Sequence, residues 1–146
     1  MNQKYLVITS INKPNKTLKR IDLLCKKNNF NIIIIGDKKS PKKFKLNNSL
    51  FYDLIKQNNL KFKLAKRCPI NSYSRKNIGY LIAISKGAKI IIDTDDDNIP
   101  KKNFFQNFNQ NQICLNLKNK KWVNIYNYFL KKSKNIWPRA RLWINY

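Results

Sequence analysis

The stretch KYLVITSINKPNKTLKRIDLLCKKNNFNIIIIGD, residues 4–37, decides the fold class. It begins with a short apolar run, residues 4–10, which has the length and composition of a buried strand. Residues 17–27 then carry apolar side chains at helical spacing. Residues 30–35 (FNIIII) end in four consecutive isoleucines, which are typical of a parallel strand covered on both faces. A strand, a helix and a strand in this order predict an α/β fold.

The same alternation continues less clearly beyond this stretch. Residues 49–57 predict a helix, and residues 60–65 predict a short strand. Ser72 or Ser74 can cap a further helix, which Gly87 would end in a left-handed conformation. Residues 89–92 predict the next strand, and an acidic run follows at its carboxyl end. Farther on, residues 103–112 are typical of a polar loop, and the aromatic residues 122–130 fit either a strand or a helix.

Length, hydropathy and cysteine spacing define the class of protein. A chain of 146 residues suffices for one domain, 1–146. Its apolar runs are far shorter than the about 18 residues of a transmembrane segment, and no leader peptide is visible. Cys25, Cys68 and Cys114 are widely spaced and predict free thiols in a reducing compartment. We therefore expect a cytoplasmic chain with no transmembrane segment.

Charge and missing residue types limit the chemistry. The net charge of +24 suits a polyanion, but only five of the 31 cations are Arg, the better phosphate-binding residue. A nucleic-acid partner is therefore possible but not favoured. The chain contains no His and no Glu, which excludes Ser-His-Asp catalysis, Cys-His catalysis and His-containing zinc sites. Any side-chain carboxylate that acts as an acid, a base or a hard-metal ligand must be one of seven Asp.

The acidic run Asp93-Thr94-Asp95-Asp96-Asp97 is the strongest candidate site. It holds four of the seven carboxylates in the chain, at the end of a predicted strand. Like charges at this density repel one another unless a cation neutralises them. Mg²⁺ and Mn²⁺ prefer oxygen ligands and commonly bridge carboxylates to phosphates. The run therefore predicts a metal site for a phosphate-bearing ligand, and the alternative is a solvated acidic turn that caps the next helix.

Two further motifs fall at the same predicted edge of the sheet. Gly36-Asp37-Lys38-Lys39 follows the second strand, where the Asp could bind a ribose or base and the lysines a phosphate. Arg75-Lys76-Asn77 opens the helix before the acidic strand, and a helix N-terminus with two cations is a candidate pyrophosphate site. An ordinary βα turn and a solvated helix start are the respective alternatives.

Five segments in colinear order carry a resemblance to a known family. They are VITSIN (7–12), IIGDKKSP (34–41), NSYSRKNIGYLIAISKGAKIIIDTDDDNIP (71–100), WVNIYNYF (122–129) and IWPR (136–139). Together they closely resemble the STELLO-like family of glycosyltransferases over almost the whole chain. More remotely, the motif at residues 75–77 followed by the acidic run is similar to nucleotide-diphospho-sugar transferases of the GT-A fold. This resemblance implies a Rossmann-like GT-A nucleotide-sugar-binding half with a mostly parallel sheet flanked by helices.

The resemblance also implies a ligand and roles for individual residues. The donor would be a nucleotide-diphospho-sugar, with Mn²⁺ or Mg²⁺ held by an Asp-x-Asp motif. Asp95 and Asp97 would form that motif, with Asp97 on the metal, while Asp93 and Asp95 form a second possible pair and Asp96 lies within the run. The implied nucleotide-sugar-binding residues are Thr9, Ser10, Asp37, Lys38, Arg75, Lys76 and Asn77.

Two features depart from the family pattern. No Asp or Glu follows Asp97, whereas inverting enzymes of the GT-A fold usually use a further carboxylate as base, so no catalytic residue is identified. The resemblance also stops abruptly after residue 139. We therefore expect a truncated chain with a nucleotide-binding half at 1–100 and an incomplete acceptor-side segment at 101–146. The alternatives are a basic nucleic-acid-binding protein, a metal-dependent nuclease or an inactive donor-binding remnant.

Overall fold

A computed structural model describes residues 3–105, which form a parallel sheet flanked by helices. The strands are β1 (Lys4–Thr9), β2 (Asn31–Ile35), β3 (Ser49–Tyr52) and β4 (Ile90–Asp93). Their order across the sheet is β3-β2-β1-β4, and each of the three strand pairs is parallel. The predicted α/β fold with a Rossmann-like parallel sheet is confirmed.

Four helices connect these strands. They are α1 (Lys16–Lys27), α2 (Leu54–Asn58), α3 (Lys63–Arg67) and α4 (Lys76–Ser85). The Asn15 side chain caps α1, and Ser72 caps a 3₁₀ turn at Tyr73–Arg75 that leads into α4. After α4, Gly87 has a φ of +77°, as predicted for the residue that ends this helix.

The two central strands are buried on both faces, as their continuous apolar sequences predict. In β1, Tyr5 and Val7 pack toward α4, while Leu6 and Ile8 pack toward α1. This alternation follows from the two-residue period of a strand. Gly79 allows α4 to approach β1 closely, since a Cβ atom at this position would lie 2.5 Å from Val7 Cγ1. The rigid core therefore fixes the carboxyl ends of β1, β2 and β4 relative to one another.

Two sequence predictions between β2 and α4 are wrong. The helix predicted at residues 49–57 is the edge strand β3 followed by the short helix α2. Pairing with β2 explains the strand, because Ile32 to Ile35 lie opposite Ser49 to Tyr52. The Asp53 side chain then accepts a hydrogen bond from the backbone N–H of Lys56 and starts α2. The strand predicted at residues 60–65 is wrong as well, because α3 occupies Lys63–Arg67.

Several predictions lie outside the described residues. They are most of the loop at 103–112, the strand or helix at 122–130, the Cys114 thiol and most of the acceptor-side segment at 101–146. The division into a nucleotide-binding half and an acceptor-side segment stays a prediction. Within residues 3–105, no helix combines the length and hydropathy needed to cross a bilayer.

Candidate functional site

The strand order creates a crevice where β1 and β4 lie side by side. From β1 the chain moves outward through β2 to β3, and it then returns to add β4 on the opposite side of β1. In open α/β sheets, ligands bind outside the carboxyl ends of strands at such a reversal of strand order. Ser10 follows β1, and the acidic run begins at Asp93, the last residue of β4. The fold therefore brings both predicted segments to the edge where a ligand is expected.

Asp96 connects the acidic run to the loop after β1. Its Oδ2 atom accepts a hydrogen bond of 2.6 Å from Ser10 Oγ and one of 3.3 Å from Asn12 Nδ2. Its backbone carbonyl accepts a third, of 3.1 Å, from Asn15 Nδ2. Asn15 also caps α1, so the same side chain bonds both the start of α1 and the acidic run. The predicted metal cluster is thereby divided, with Asp96 turned toward β1.

Lys76 holds the first half of the acidic run. Its Nζ atom donates to Asp93 Oδ1 at 2.7 Å, to Asp95 Oδ1 at 2.8 Å and to the Thr94 carbonyl at 3.1 Å. The Lys76 residue is only 8% exposed, so these bonds are largely shielded from water. The hydroxyl of Tyr80, one helical turn along α4, donates to Asp93 Oδ2. This lysine was predicted to meet pyrophosphate, and in the structure it neutralises carboxylates.

The pKa directions follow from these contacts. Burial alone lowers the pKa of the Lys76 ammonium, but hydrogen bonds and the charges of Asp93 and Asp95 outweigh burial and raise it above its ordinary value. Burial, together with the hydrogen bond to Asp93 and its charge, raises the pKa of Tyr80 to about 12. Both groups therefore keep their protons at neutral pH, and the cluster remains a bonded ion pair with a neutral phenol.

Asp37 joins the end of β2 to the loop that leads into α4. Its Oδ1 atom accepts from the backbone N–H of Asn71 at 3.0 Å, and its Oδ2 atom accepts from that of Ser72 at 3.3 Å. The N–H of Lys38 also donates to Oδ1, at 2.6 Å. Each carboxylate oxygen therefore already has a backbone partner, although an oxygen can accept more than one hydrogen bond. Asp37 therefore shapes the crevice wall, and its role toward the nucleoside stays a prediction.

Arg75 is buried at the base of the same wall. Only 2% of the residue is exposed, and its Nε and Nη2 atoms donate to Gln57 Oε1 at 3.0 and 2.6 Å. Its Nη1 atom donates to the Cys68 carbonyl at 2.9 Å. Gln57, fully buried, donates in turn to the carbonyls of Gly36 and Tyr52. Arg75 therefore braces α2, the end of β2 and the loop before α4, and its predicted contact with pyrophosphate stays a prediction.

A cavity of about 590 Å³ opens between these walls. This volume lies within the range of small-molecule sites. Four of the predicted nucleotide-sugar-binding residues, Thr9, Ser10, Asp37 and Arg75, line the cavity, and so does Asp96 of the acidic run. The other three residues of that predicted set are placed differently. Lys38 and Asn77 are exposed, and Lys76 is turned toward the acidic run.

Sequence reasoning missed several residues that line this cavity. They include Asn12, Asn71, Ser72 and Tyr73. Asn71 has a φ of +56°, a conformation that Asn tolerates better than most residues, and the pair Asn71-Ser72 before the capped turn was the available signal. Tyr73 is 77% exposed despite its aromatic ring, which no feature of its sequence neighbourhood indicates.

The side chains present fit a divalent cation held jointly by protein and ligand. Within residues 3–105, no three acidic or thiol side chains converge as a protein-only metal site would require. Asp97 is exposed, and among the described residues its carboxylate has no hydrogen-bonding or ionic partner. Asp95 uses one oxygen on Lys76, which leaves Oδ2 free of protein partners within the same residues. Mg²⁺ in proteins is usually bound by one or two carboxylates, and phosphate oxygens and water complete its coordination.

Comparisons with known proteins give a consistent similarity. No family model matches the chain. The Arabidopsis thaliana protein "Probable glycosyltransferase STELLO1" is 30% identical over 151 aligned residues, covering 94% of this chain and 19% of the relative. "Probable glycosyltransferase STELLO2" from the same plant is 34% identical over 94 residues, covering 64% of this chain and 12% of the relative. The chain thus spans a fifth or less of the length of these relatives. Along most of its own length the chain is thus similar to the STELLO proteins, which confirms the STELLO-like resemblance predicted from the sequence.

Proposed function

We propose that this chain carries the donor-binding part of a metal-dependent glycosyltransferase, which transfers sugar from a nucleotide-diphospho-sugar to an acceptor. The single observation that carries the proposal is the hydrogen bond from Ser10 to Asp96, because it brings the acidic run to the cavity at the β1–β4 crevice. Similarity to two proteins named as glycosyltransferases supports a sugar-nucleotide ligand over other phosphate esters.

The cavity offers the groups that a nucleoside needs. Ser10 and Asn12 supply polar groups that would lie beside a ribose, and Ile35 adds an apolar surface. The exposed ring of Tyr73 is available to stack on a base. Asp37 and Arg75 keep the wall rigid through their bonds to backbone groups, so the pocket exists before a ligand arrives.

The diphosphate would lie on the side of the acidic run. Lys39 lines the cavity and can meet a phosphate as a point charge. Asp97, with Asp95 beside it, would hold Mn²⁺ or Mg²⁺ together with phosphate oxygens. A bound cation of this kind would stabilise the negative charge of the departing nucleoside diphosphate. The acceptor, the acceptor-side role of residues 101–146 and the cytoplasmic location stay predictions from the sequence.

A thermal-shift panel tests this function. Nucleoside diphosphates and nucleotide sugars with different bases are added with and without Mn²⁺. We expect at least one of them to raise the melting temperature only when Mn²⁺ is present. The double variant Asp95→Asn, Asp97→Asn should lose that response. Asp53→Asn is the matched control, because it removes a carboxylate that does not line the cavity, while Asn can still cap α2.

The panel also separates the alternative functions. A single-stranded oligonucleotide tests the nucleic-acid-binding and nuclease alternatives that the +24 charge suggests. Binding of that kind weakens steeply as salt concentration rises. A shift with the oligonucleotide and none with any nucleotide sugar would reject the glycosyltransferase proposal.

A further inference from the structure

The acidic run contains two overlapping Asp-x-Asp pairs, and the structure gives their carboxylates different surroundings. Both oxygens of Asp93 have protein partners, Lys76 on Oδ1 and Tyr80 on Oδ2. Among the described residues, Asp95 has a protein partner on one oxygen only. Asp97 has none within that part of the chain. The capacity to bind a cation therefore increases from Asp93 to Asp97.

We propose that the Lys76 ammonium takes the place of a metal ion between Asp93 and Asp95, and so restricts metal binding to the end of the run at Asp97. This inference deepens the proposed function, because it rests on a metal-bound donor at the same site. Lys76 is then a positioning residue, which folds the run into its shape before any metal or donor arrives.

The geometry of the ammonium supports this role. A lysine ammonium has three protons, and each has an acceptor here, namely Asp93, Asp95 and the Thr94 carbonyl. The Lys76 side chain is only 10% exposed, whereas those of Asp93 and Asp95 are 51% and 40% exposed. The cation is thus buried beneath two carboxylates that face solvent. Their mutual repulsion is relieved without an external ion.

A metal ion and this lysine would compete for the same oxygens. A divalent cation bound between Asp93 and Asp95 would sit next to a positive charge that is shielded from water, and the two would repel strongly. A metal bound to Asp97 and to Oδ2 of Asp95 would leave the hydrogen bonds of Lys76 intact. The position of Lys76, at the first turn of α4 and beside β4, thus distinguishes the two possible Asp-x-Asp pairs.

The experiment measures binding of Mn²⁺ alone, by the loss of the free-ion paramagnetic resonance signal, and needs no nucleotide. We expect Lys76→Met to bind Mn²⁺ about tenfold more tightly than the unaltered chain, because it frees two adjacent carboxylates. Adding Asp93→Asn to Lys76→Met should abolish that gain. Lys86→Met removes a charge from an exposed residue at the end of the same helix and should leave Mn²⁺ binding unchanged.

Equal Mn²⁺ binding by Lys76→Met and the unaltered chain would overturn the inference. If Lys76→Met folds only when Mn²⁺ is present, the metal has replaced the lysine, and the inference holds. If it folds under neither condition, Asp93→Asn in the otherwise unaltered chain decides the matter. That variant should bind Mn²⁺ as the unaltered chain does, and weaker binding would reject the inference. These experiments use Mn²⁺ alone, so their results can be interpreted even if no nucleotide sugar binds. The two proposals can therefore be rejected separately.

Discussion

Ser10 Oγ donates a hydrogen bond of 2.6 Å to Asp96 Oδ2, although 86 residues separate the two in the chain. The bond joins the segment after β1 to the segment after β4, which are adjacent only because the sheet order reverses there. Ser10 is itself 4% exposed and its carbonyl accepts from Ser40 Oγ at 2.7 Å. One serine thus links the ends of three strands at the proposed donor site.

Ser10→Ala should weaken donor binding as well as the fold. The hydroxyl bond to a carboxylate contributes about 1.5–3 kcal/mol, so affinity for the responding nucleotide should fall by about tenfold or more. The measurement is titration calorimetry with Mn²⁺ present, alongside a melting curve. Ser85→Ala, at the far end of α4, is the control. Unchanged affinity in Ser10→Ala would show that this bond does not position the acidic run for the ligand.

Gly79→Ala should destabilise the sheet–helix packing. The added Cβ would lie 2.5 Å from Val7 Cγ1 and 3.0 Å from Ile35 Cγ1, so α4 must shift away from β1 and β2. Overpacking of this kind lowers the free energy of unfolding by about 1–3 kcal/mol. Urea denaturation measures it. Ile84→Ala, on an exposed position of the same helix, should change it by less than about 0.5 kcal/mol. Equal effects of the two variants would contradict the close packing at Gly79.

Gln57→Ala should be among the more damaging single changes in this chain. The substitution removes the acceptor of two Arg75 N–H groups and the donor to the Gly36 and Tyr52 carbonyls, all near the base of the cavity. Leaving a buried guanidinium underbonded should lower the free energy of unfolding by at least about 2 kcal/mol. Asn58→Ala, on the neighbouring exposed position of α2, is the control. Near-wild-type stability of Gln57→Ala would mean that Arg75 finds other acceptors.

Cys25 should resist alkylation in the folded protein. Burial, with a smaller contribution from the charge of Asp22, raises the pKa of the Cys25 thiol to about 12. Between pH 9.0, the ordinary pKa of the thiol, and about pH 12, the folded chain therefore keeps its Cys25 proton, whereas the unfolded chain releases it. The contribution of Cys25 to the free energy of unfolding is therefore fully present below pH 9.0 and is lost as the pH rises toward about 12.

The measurement for Cys25 is peptide mass spectrometry after iodoacetamide treatment near the ordinary thiol pKa. The folded chain should remain unmodified at Cys25, since the thiolate is the reactive form. The same chain in denaturant should be modified there, which serves as the internal control. Rapid modification of the folded chain would contradict the burial of this thiol.

The sequence predicted both central strands and the edge strand β4, and it missed the other edge strand, β3. Residues 5–8 and 32–35 are continuous apolar runs, which are typical of a doubly covered strand. The edge strand β3 pairs on one side with β2, and its Leu50 is 42% exposed, so its sequence shows no such run. Residues 49–57 instead match the period of a helix. Only the pairing of β3 with β2 decides between a strand and a helix here.

The candidate site was predictable where position in the fold determines it. Ser10 and the acidic run both follow predicted parallel strands, so the strand order of the sequence was enough to expect them at one edge of the sheet. The partners of Lys76 and Arg75 were not predictable, because a helix N-terminus gives the location of a cation and not the direction of its side chain. One of these cations is bonded to carboxylates, and the other to Gln57 and backbone carbonyls.

Titration calorimetry of a nucleoside diphosphate with and without Mn²⁺ tests the proposed donor site most directly. The probe is the diphosphate of whichever base responds in the thermal panel, and the corresponding monophosphate is run beside it. We predict that the diphosphate binds with one-to-one stoichiometry only when Mn²⁺ is present, and that Asp97→Asn abolishes this binding while Asp53→Asn preserves it. Binding that is independent of Mn²⁺ and unaffected by Asp97→Asn would contradict the account.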